Sequence, residues 1–315
     1  MITAFFVLIS IVLVILLTSR FKFDAFFSLV LVALALALVT ISADQVIPPL
    51  KAGFGNTLAA IGLIILFGTT IGVLLDKTGA TYAMANYVLK LTGKEKTPRA
   101  IAITGFIAGL PIFCDSGFIV LSGLNKSLAR ASGISMVRMA GALAISLYTL
   151  HCLVPPHPGI TAATGIMGGS LGNLVLLGVV IAIPTAMAGY LWVKIMSKKY
   201  NHAAVSSQES PDISGRQLPG AFMSFLPVVL PLFLITLNSF LGILPRKVPV
   251  AAGSVISFVG DPVVALLMGV VLALFLVRKE NFHEINGIFG DSIMKAGPIL
   301  AITAAGGAFG AVIKA

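Results

Sequence analysis

The stretch GLPIFCDSGF, residues 109–118, places a carboxylate in the middle of a strongly apolar run. The nearest basic residues along the chain are Arg99 on one side and Lys126 on the other. A charged side chain at the centre of a lipid bilayer costs about 2.5–3.5 kcal/mol on insertion scales, so such residues are rare and usually functional. Asp115 is therefore the first candidate for a functional role, provided that the run lies in a membrane.

The composition indicates a membrane protein. Of the 315 residues, 58% are hydrophobic and only 10% are charged, against about 25% charged in a typical soluble domain. The apolar runs are long and do not alternate with polar residues, which favours helices over a β-barrel. We therefore predict an all-α polytopic membrane protein.

The net charge of +10 does not indicate a nucleic-acid partner. The basic residues fall in short loops between apolar segments, where they orient helices in the bilayer. Cys114 and Cys152 lie in apolar segments without a CxxC pattern or a Cys/His cluster. We therefore expect no disulfide, no metal site and no cofactor.

The apolar runs predict a series of membrane spans with the N-terminus outside. The predicted spans are about 1–18, 26–41, 57–75, 139–153, 171–193, 221–241 and 262–277, with a last segment from about Pro298 onward. In this orientation 17 of the 21 Lys and Arg residues fall in inside loops, as the positive-inside rule requires. The rule is satisfied only if residues 101–124 enter and leave on the same side.

Residues 101–124 have the features of a re-entrant hairpin. Pro111 interrupts the helix, and Asp115, Ser116 and Gly117 are suited to capping and turning the returning arm. An arm of about ten residues reaches roughly 15 Å, half of a hydrocarbon core of about 30 Å. The hairpin tip is therefore expected near the midplane.

A second interruption lies in LHCLVPPHPGI, residues 150–160. Pro155 and Pro156, followed by Pro158, cannot occupy a regular helix interior. Irregular backbone at membrane depth is tolerated only where protein or a water-filled cavity satisfies it. A hairpin and a broken helix (about 139–166) close in sequence point to a transporter's binding site.

Two glycine-containing helices suggest an internal repeat. Residues 63–77 and 300–315 align with Gly68 on Gly306, and their predicted directions across the membrane are opposite, as an inverted repeat requires. Chance similarity between packing motifs is the alternative, since small-xxx-small patterns are common. A true repeat predicts a first half at 1–194, a cytoplasmic loop at 195–220 and an incomplete second half at 221–315.

Several residues around the two interruptions are candidates for binding substrate or a proton. Asp115 can change charge, and a histidine at membrane depth titrates near neutral pH; a capping Asp and a neutral His bonded to a carbonyl are the structural alternatives. The hydroxyls and half-helix N-termini would suit a polyol anion. The candidates are Asp115, Ser116, Gly117, His151, Pro155, Pro156, His157, Gly159, Thr161 and Thr164.

The sequences GLPIFCDSGFIVLSGL and LHCLVPPHPGITAATG together resemble the paired signature of the gluconate:proton symporter family of the ion transporter superfamily. The resemblance covers the whole chain. It implies a two-repeat fold with two re-entrant hairpins in a bacterial inner membrane, often as a homodimer. It also implies uptake of a sugar acid such as gluconate or a related hydroxy acid, and members continue beyond Ala315. The hairpin carboxylate corresponds to Asp115, and the proline-rich break to residues 154–159.

These expectations combine into proton-coupled uptake of a sugar acid, with the proton bound by Asp115. The alternatives are a sodium-coupled carboxylate carrier, a channel, and a truncated fragment that does not transport alone. An intramembrane enzyme is disfavoured because the sequence contains neither HExxH nor GxSxG.

Overall fold

The computed structural model describes residues 2–92, 97–110, 114–200, 218–243, 250–278 and 283–315. Within these ranges the chain forms thirteen α-helices and no strand, which confirms the predicted all-α class. The helices are α1 (Ile2–Ile15), α2 (Ala25–Thr40), α3 (Ile47–Thr78), α4 (Ala80–Thr92), α5 (Thr97–Ala108), α6 (Cys114–Ser132), α7 (Met136–Leu153), α8 (Pro158–Ile166), α9 (Leu171–Met196), α10 (Ala221–Ile243), α11 (Val250–Val259), α12 (Pro262–Leu274) and α13 (Ile285–Lys314).

The described helices include membrane-spanning candidates, as expected for a multi-pass membrane protein. Five of them are long and apolar enough to cross a bilayer, and three shorter helices are apolar too. Large apolar side chains face outward on α9, for example Leu177 at 61% exposure. Such exposure is uncommon in soluble monomers but is expected where lipid tails cover the surface. The five candidates are Ala43–Thr78, Met136–Leu153, Leu171–Lys199, Ala221–Asn238 and Ile285–Lys314.

The two longest helices, α3 and α13, pack against each other in antiparallel directions. Near one end a Cβ atom added to Gly53 would lie 2.5 Å from the Gly307 carbonyl oxygen. Near the other end Lys77 Nζ lies 3.0 Å from Asp291 Oδ2. The antiparallel packing agrees with the opposite directions predicted for these helices, while the repeat itself stays a prediction.

Helices α3 and α13 extend further than the predicted spans. Helix α13 begins at Ile285 rather than near Pro298 and continues through the proline. Helix α3 begins at Ile47, where prolines occupy its first turn and lose no hydrogen bond. Much of the stretch between the predicted span 57–75 and the predicted hairpin 101–124 is helical, because Gly79 adopts a left-handed conformation (φ 77°) that ends α3 and lets α4 follow at once.

Helix α7 is the centre of the packing around the hairpin. Its residues Leu143 and Leu147 are fully buried in one cluster with Ile101 of α5 and Leu121 of α6. On its other side α7 packs closely against α9, where a Cβ atom on Gly189 would clash with Ile145. The division of the chain into two halves stays a prediction, and most of the predicted loop at 195–220 lies outside the described residues.

Candidate functional site

The predicted hairpin corresponds to two helices, α5 and α6, and residues 111–113 between them lie outside the described residues. The Leu110 amide donates to the Ile107 carbonyl at 3.3 Å, three residues back instead of four, so α5 ends in a tighter turn. Helix α6 starts at Cys114, so Asp115, Ser116 and Gly117 lie in its first turn. Gly117 is buried, whereas the side chains of Asp115 and Ser116 lie outside what the structure describes.

The predicted break separates α7 from α8. Val154 has an extended backbone (φ −125°, ψ 129°), as the residue before a proline prefers. Helix α8 then begins with Pro158 in its first turn and His157 in the N-cap position. The proline positions thus decide where one helix ends and the next begins, as the sequence predicted.

A buried hydrogen bond joins the hairpin to the break. His157 is only 2% exposed, and its Nε2 lies 3.0 Å from the Gly109 carbonyl oxygen. A carbonyl oxygen only accepts, so Nε2 carries the hydrogen and donates it. The two interruptions identified separately in the sequence therefore meet in one place, although 48 residues separate the bonded groups.

His151 lies beside this hydrogen bond. Its ring centroid is 4.8 Å from that of His157 and 6.2 Å from that of Tyr148, on which it stacks. The structure thus brings the two candidate histidines together. Their predicted contact with substrate or a proton stays a prediction.

Pro156 of the break packs against the long helix α3. A Cβ atom added to Gly68 would lie 2.9 Å from Pro156 Cγ, so glycine is needed for this close approach. Pro155 is buried. A small cleft at the same place is lined by Gly68, Leu110 and Pro156, together with Pro227 and Pro231 of α10. Hairpin, break, α3 and α10 therefore converge here.

The two candidate threonines of α8 have different environments. The Thr164 hydroxyl donates to the Ile160 carbonyl at 2.9 Å, one turn back in the helix. Thr161 is fully buried, and its hydroxyl has no hydrogen-bond partner among the described residues. A buried hydroxyl without a partner costs about 1–3 kcal/mol. Gly159 is exposed, and a Cβ atom added there would meet nothing within 4 Å.

Two buried polar residues on the hairpin arms were missed by the sequence analysis. Thr104 of α5 and Asn125 of α6 are both 0% exposed. Neither side chain has a hydrogen-bond partner in the described part of the chain. A neutral amide or hydroxyl gave no signal in the sequence, because such residues occur in many helices that have only a structural role.

A cavity of about 300 Å³ lies between α3, α8 and α13. Its polar lining residues are Asn56, Thr57 and Lys314, none of which the sequence analysis selected. Ala162 and Gly165 of α8 form the opposite wall. The half-helix after the break therefore begins at the buried hydrogen bond of His157 and, further along, lines a cavity of small-molecule size.

The chain is similar to known membrane permeases along its whole length. Residues 2–315 match the model of the GntP family permease. The chain is 32% identical to the high-affinity gluconate transporter of Escherichia coli (strain K12) over 98% of the chain and 71% of that protein. It is 32% identical to the Gnt-II system L-idonate transporter of the same organism, over 96% of the chain and 70% of that protein.

A further relative is an uncharacterized permease of Haemophilus influenzae. It is 33% identical over 98% of the chain and 66% of that protein. The chain therefore spans about two thirds of the length of these curated relatives.

Proposed function

The chain belongs to the GntP family of permeases, and we propose that it takes up a sugar acid, gluconate or a related hydroxycarboxylate, together with a proton. Family membership confirms the resemblance found in the sequence. It also confirms the expectation that the chain is not an enzyme, because the family and the relatives are permeases. The inner membrane and an outside N-terminus are part of the proposal.

The observation that carries the proposal is the hydrogen bond from His157 to Gly109 at 3.0 Å. It holds the end of α5 against the break, so that the first arm of the predicted hairpin and the first turn of α8 belong to one region of the molecule. Transporters place substrate at such discontinuous helices, whose N-terminal N–H groups point at anionic groups. In this arrangement α8 offers the N–H groups of Gly159 and Ile160, which have no carbonyl within the helix to bond.

A sugar acid is an anion, and the negative interior opposes its entry by about 2.3 kcal/mol per 100 mV. Accumulation therefore requires a cation to enter with it. We assign the proton to Asp115, in the first turn of α6. A protonated Asp115 removes one negative charge from the site as the substrate carboxylate arrives at the positive end of α8. Release of the proton and the substrate into the cytoplasm returns Asp115 to its charged form.

Sodium coupling is the second candidate, because buried oxygen ligands also bind sodium. The hydroxyl of Thr161 and the amide of Asn125 are buried oxygens without partners in the described residues. The two cations are distinguished by the dependence of uptake on the sodium and proton gradients.

Uptake by cells tests the proposal directly. The chain is expressed in bacteria that lack their own sugar-acid permeases, and membrane insertion is confirmed first. Labelled gluconate, idonate and other hydroxy acids are then supplied with and without a protonophore, and with and without sodium. We expect accumulation of at least one sugar acid that the protonophore abolishes and that sodium removal leaves unchanged. An inserted chain that accumulates none of them would contradict transport by this chain alone.

Replacing Thr161 with Val tests whether α8 contacts the substrate. Val has nearly the shape of Thr, and removing an unpartnered buried hydroxyl is neutral or stabilising. We expect the thermal stability of the purified variant to be kept or raised, while uptake falls about tenfold because one hydrogen bond to a substrate hydroxyl is lost.

Thr164→Val is the matched control, because the Thr164 hydroxyl is already bonded to the Ile160 carbonyl. This control is expected to transport normally. Equal uptake by Thr161→Val and the wild type would remove Thr161 from the binding site.

A further inference from the structure

A third concave region, besides the cleft at Gly68 and the cavity between α3, α8 and α13, lies along the outer side of α5. It is a groove of about 420 Å³ between α5 and α9, with α7 as its floor, and we name it the α5–α9 groove. Most of its lining is apolar, including Phe106 of α5 and Ile183 and Met187 of α9. Ile183 and Met187 are 50% and 62% exposed, so the groove opens outward toward lipid.

The polar groups of the groove are concentrated at one end. Arg99 begins the first arm of the hairpin, and Tyr190 and Lys194 lie near the end of α9. Ser146 on the floor is buried and donates its hydroxyl to the Ala142 carbonyl at 3.1 Å within α7. The lining residues include no Asp or Glu. A ligand would therefore meet an apolar channel that ends at two cations.

The length of the groove matches one leaflet of a bilayer. Ile183 and Lys194 lie eleven positions apart on α9, which corresponds to roughly 16 Å of helix. Half of a hydrocarbon core measures about 15 Å. Trp192, which is 65% exposed, lies near the cationic end, and exposed tryptophan marks the level of the lipid headgroups.

We propose that the α5–α9 groove binds one anionic phospholipid. An acyl chain lies along Phe106 and Ile183, and the phosphate is held by Arg99 and Lys194. In the orientation predicted from the positive-inside rule, this lipid belongs to the cytoplasmic leaflet. Basic pockets between transmembrane helices on that side are suited to anionic headgroups. A lipid bound in the groove would pack against α5, the first arm of the hairpin, and stabilise its position.

The binding is tested with phosphatidylglycerol as the probe. The full chain and its variants are purified, exchanged into mixed micelles of phosphatidylglycerol and phosphatidylethanolamine, and examined by native mass spectrometry. We expect one retained phosphatidylglycerol per chain. The double variant Arg99→Gln/Lys194→Gln is expected to bind it about 30-fold more weakly, from two cations lost at the membrane surface.

Two further variants separate charge from shape and from folding. Arg20→Gln/Lys90→Gln removes two exposed cations that do not line the groove, and we expect it to retain the lipid. Ala186→Phe fills the groove while leaving both cations in place, and we expect it to lose the lipid while remaining folded.

Two outcomes would overturn the proposal. One is equal lipid retention by the Arg99→Gln/Lys194→Gln variant and the Arg20→Gln/Lys90→Gln control. The other is a second copy of the chain in the groove, seen as crosslinking between Met187→Cys chains in native membranes with no phosphatidylglycerol retained.

Discussion

Replacing Asp115 with Asn is expected to abolish the accumulation of gluconate while leaving membrane insertion intact. Asn has nearly the shape of Asp but binds no proton at any physiological pH. Without a coupled proton the substrate anion distributes with the membrane potential, which opposes its entry by about 2.3 kcal/mol per 100 mV. The ratio of internal to external gluconate is therefore expected to fall below one in energised cells.

The measurement is the steady-state ratio of labelled gluconate inside and outside the cells, with the membrane content of each variant determined in parallel. Asp261→Asn is the matched control. The Asp261 carboxylate caps α12 by accepting from the Val263 amide at 2.9 Å, and Asn is an equally good cap. This control should accumulate gluconate normally.

An Asp115→Asn chain that still concentrates gluconate, and loses this ability with a protonophore, would place the coupling proton elsewhere. His157 and His151 would then be the next groups to test, since their rings lie 4.8 Å apart at the same site.

The second large effect is expected for His157→Ala. This change removes the hydrogen bond to Gly109 and leaves that carbonyl without its His157 donor. A buried group deprived of its partner costs about 1–3 kcal/mol. We expect a lower melting temperature of the purified chain and at least tenfold slower gluconate uptake, because the end of α5 is no longer held against the break.

His157→Gln distinguishes this positioning role from loss of bulk alone, because the amide of Gln can also donate to the Gly109 carbonyl. We expect it to recover much of the stability and part of the uptake. His283→Ala is the control, since His283 is 76% exposed and lies outside the site. Equal melting temperatures for the His157→Ala and His283→Ala chains would contradict the positioning role.

The sequence predicted both interruptions because they depend on local chemistry. A proline lacks the N–H that a helix interior needs, and it forces the residue before it into an extended conformation. Val154 and Pro158 therefore mark the end of α7 and the start of α8 wherever the rest of the chain lies. The start of α6 near Asp115 followed from similar capping arguments.

The predicted start of the last segment, near Pro298, was wrong. Helix α13 continues through this proline from Ile285. The missing hydrogen bond costs free energy at one position, but close packing along α3 stabilises the whole helix. The sequence shows the cost of the lost hydrogen bond at Pro298. It does not show the free energy gained when α13 packs against α3.

The glycines show the same limit. The sequence analysis aligned Gly68 and Gly72 with Gly306 and Gly310 as equivalent positions of a possible repeat, and this spacing is also typical of helix-packing motifs. Of these, Gly68 packs closely against Pro156, while Cβ atoms added to Gly306 and Gly310 would meet nothing within 4 Å. The close contact between α3 and α13 is instead made by Gly53 and Gly307. The register between two helices decides which glycine faces the partner helix. The spacing of glycines along one helix does not determine that register.

The sequence by itself determined the fold class, the positions of both breaks and the resemblance that led to the family. Composition, proline placement and motif spacing carry this information, since each acts on nearby residues or on the solvent. Only the tertiary structure decided that His157 donates to Gly109, that Thr161 is buried without a partner among the described residues, and that Asn56 and Lys314 share a cavity. These contacts join segments that are far apart in the chain, and they depend on how all the helices pack against one another.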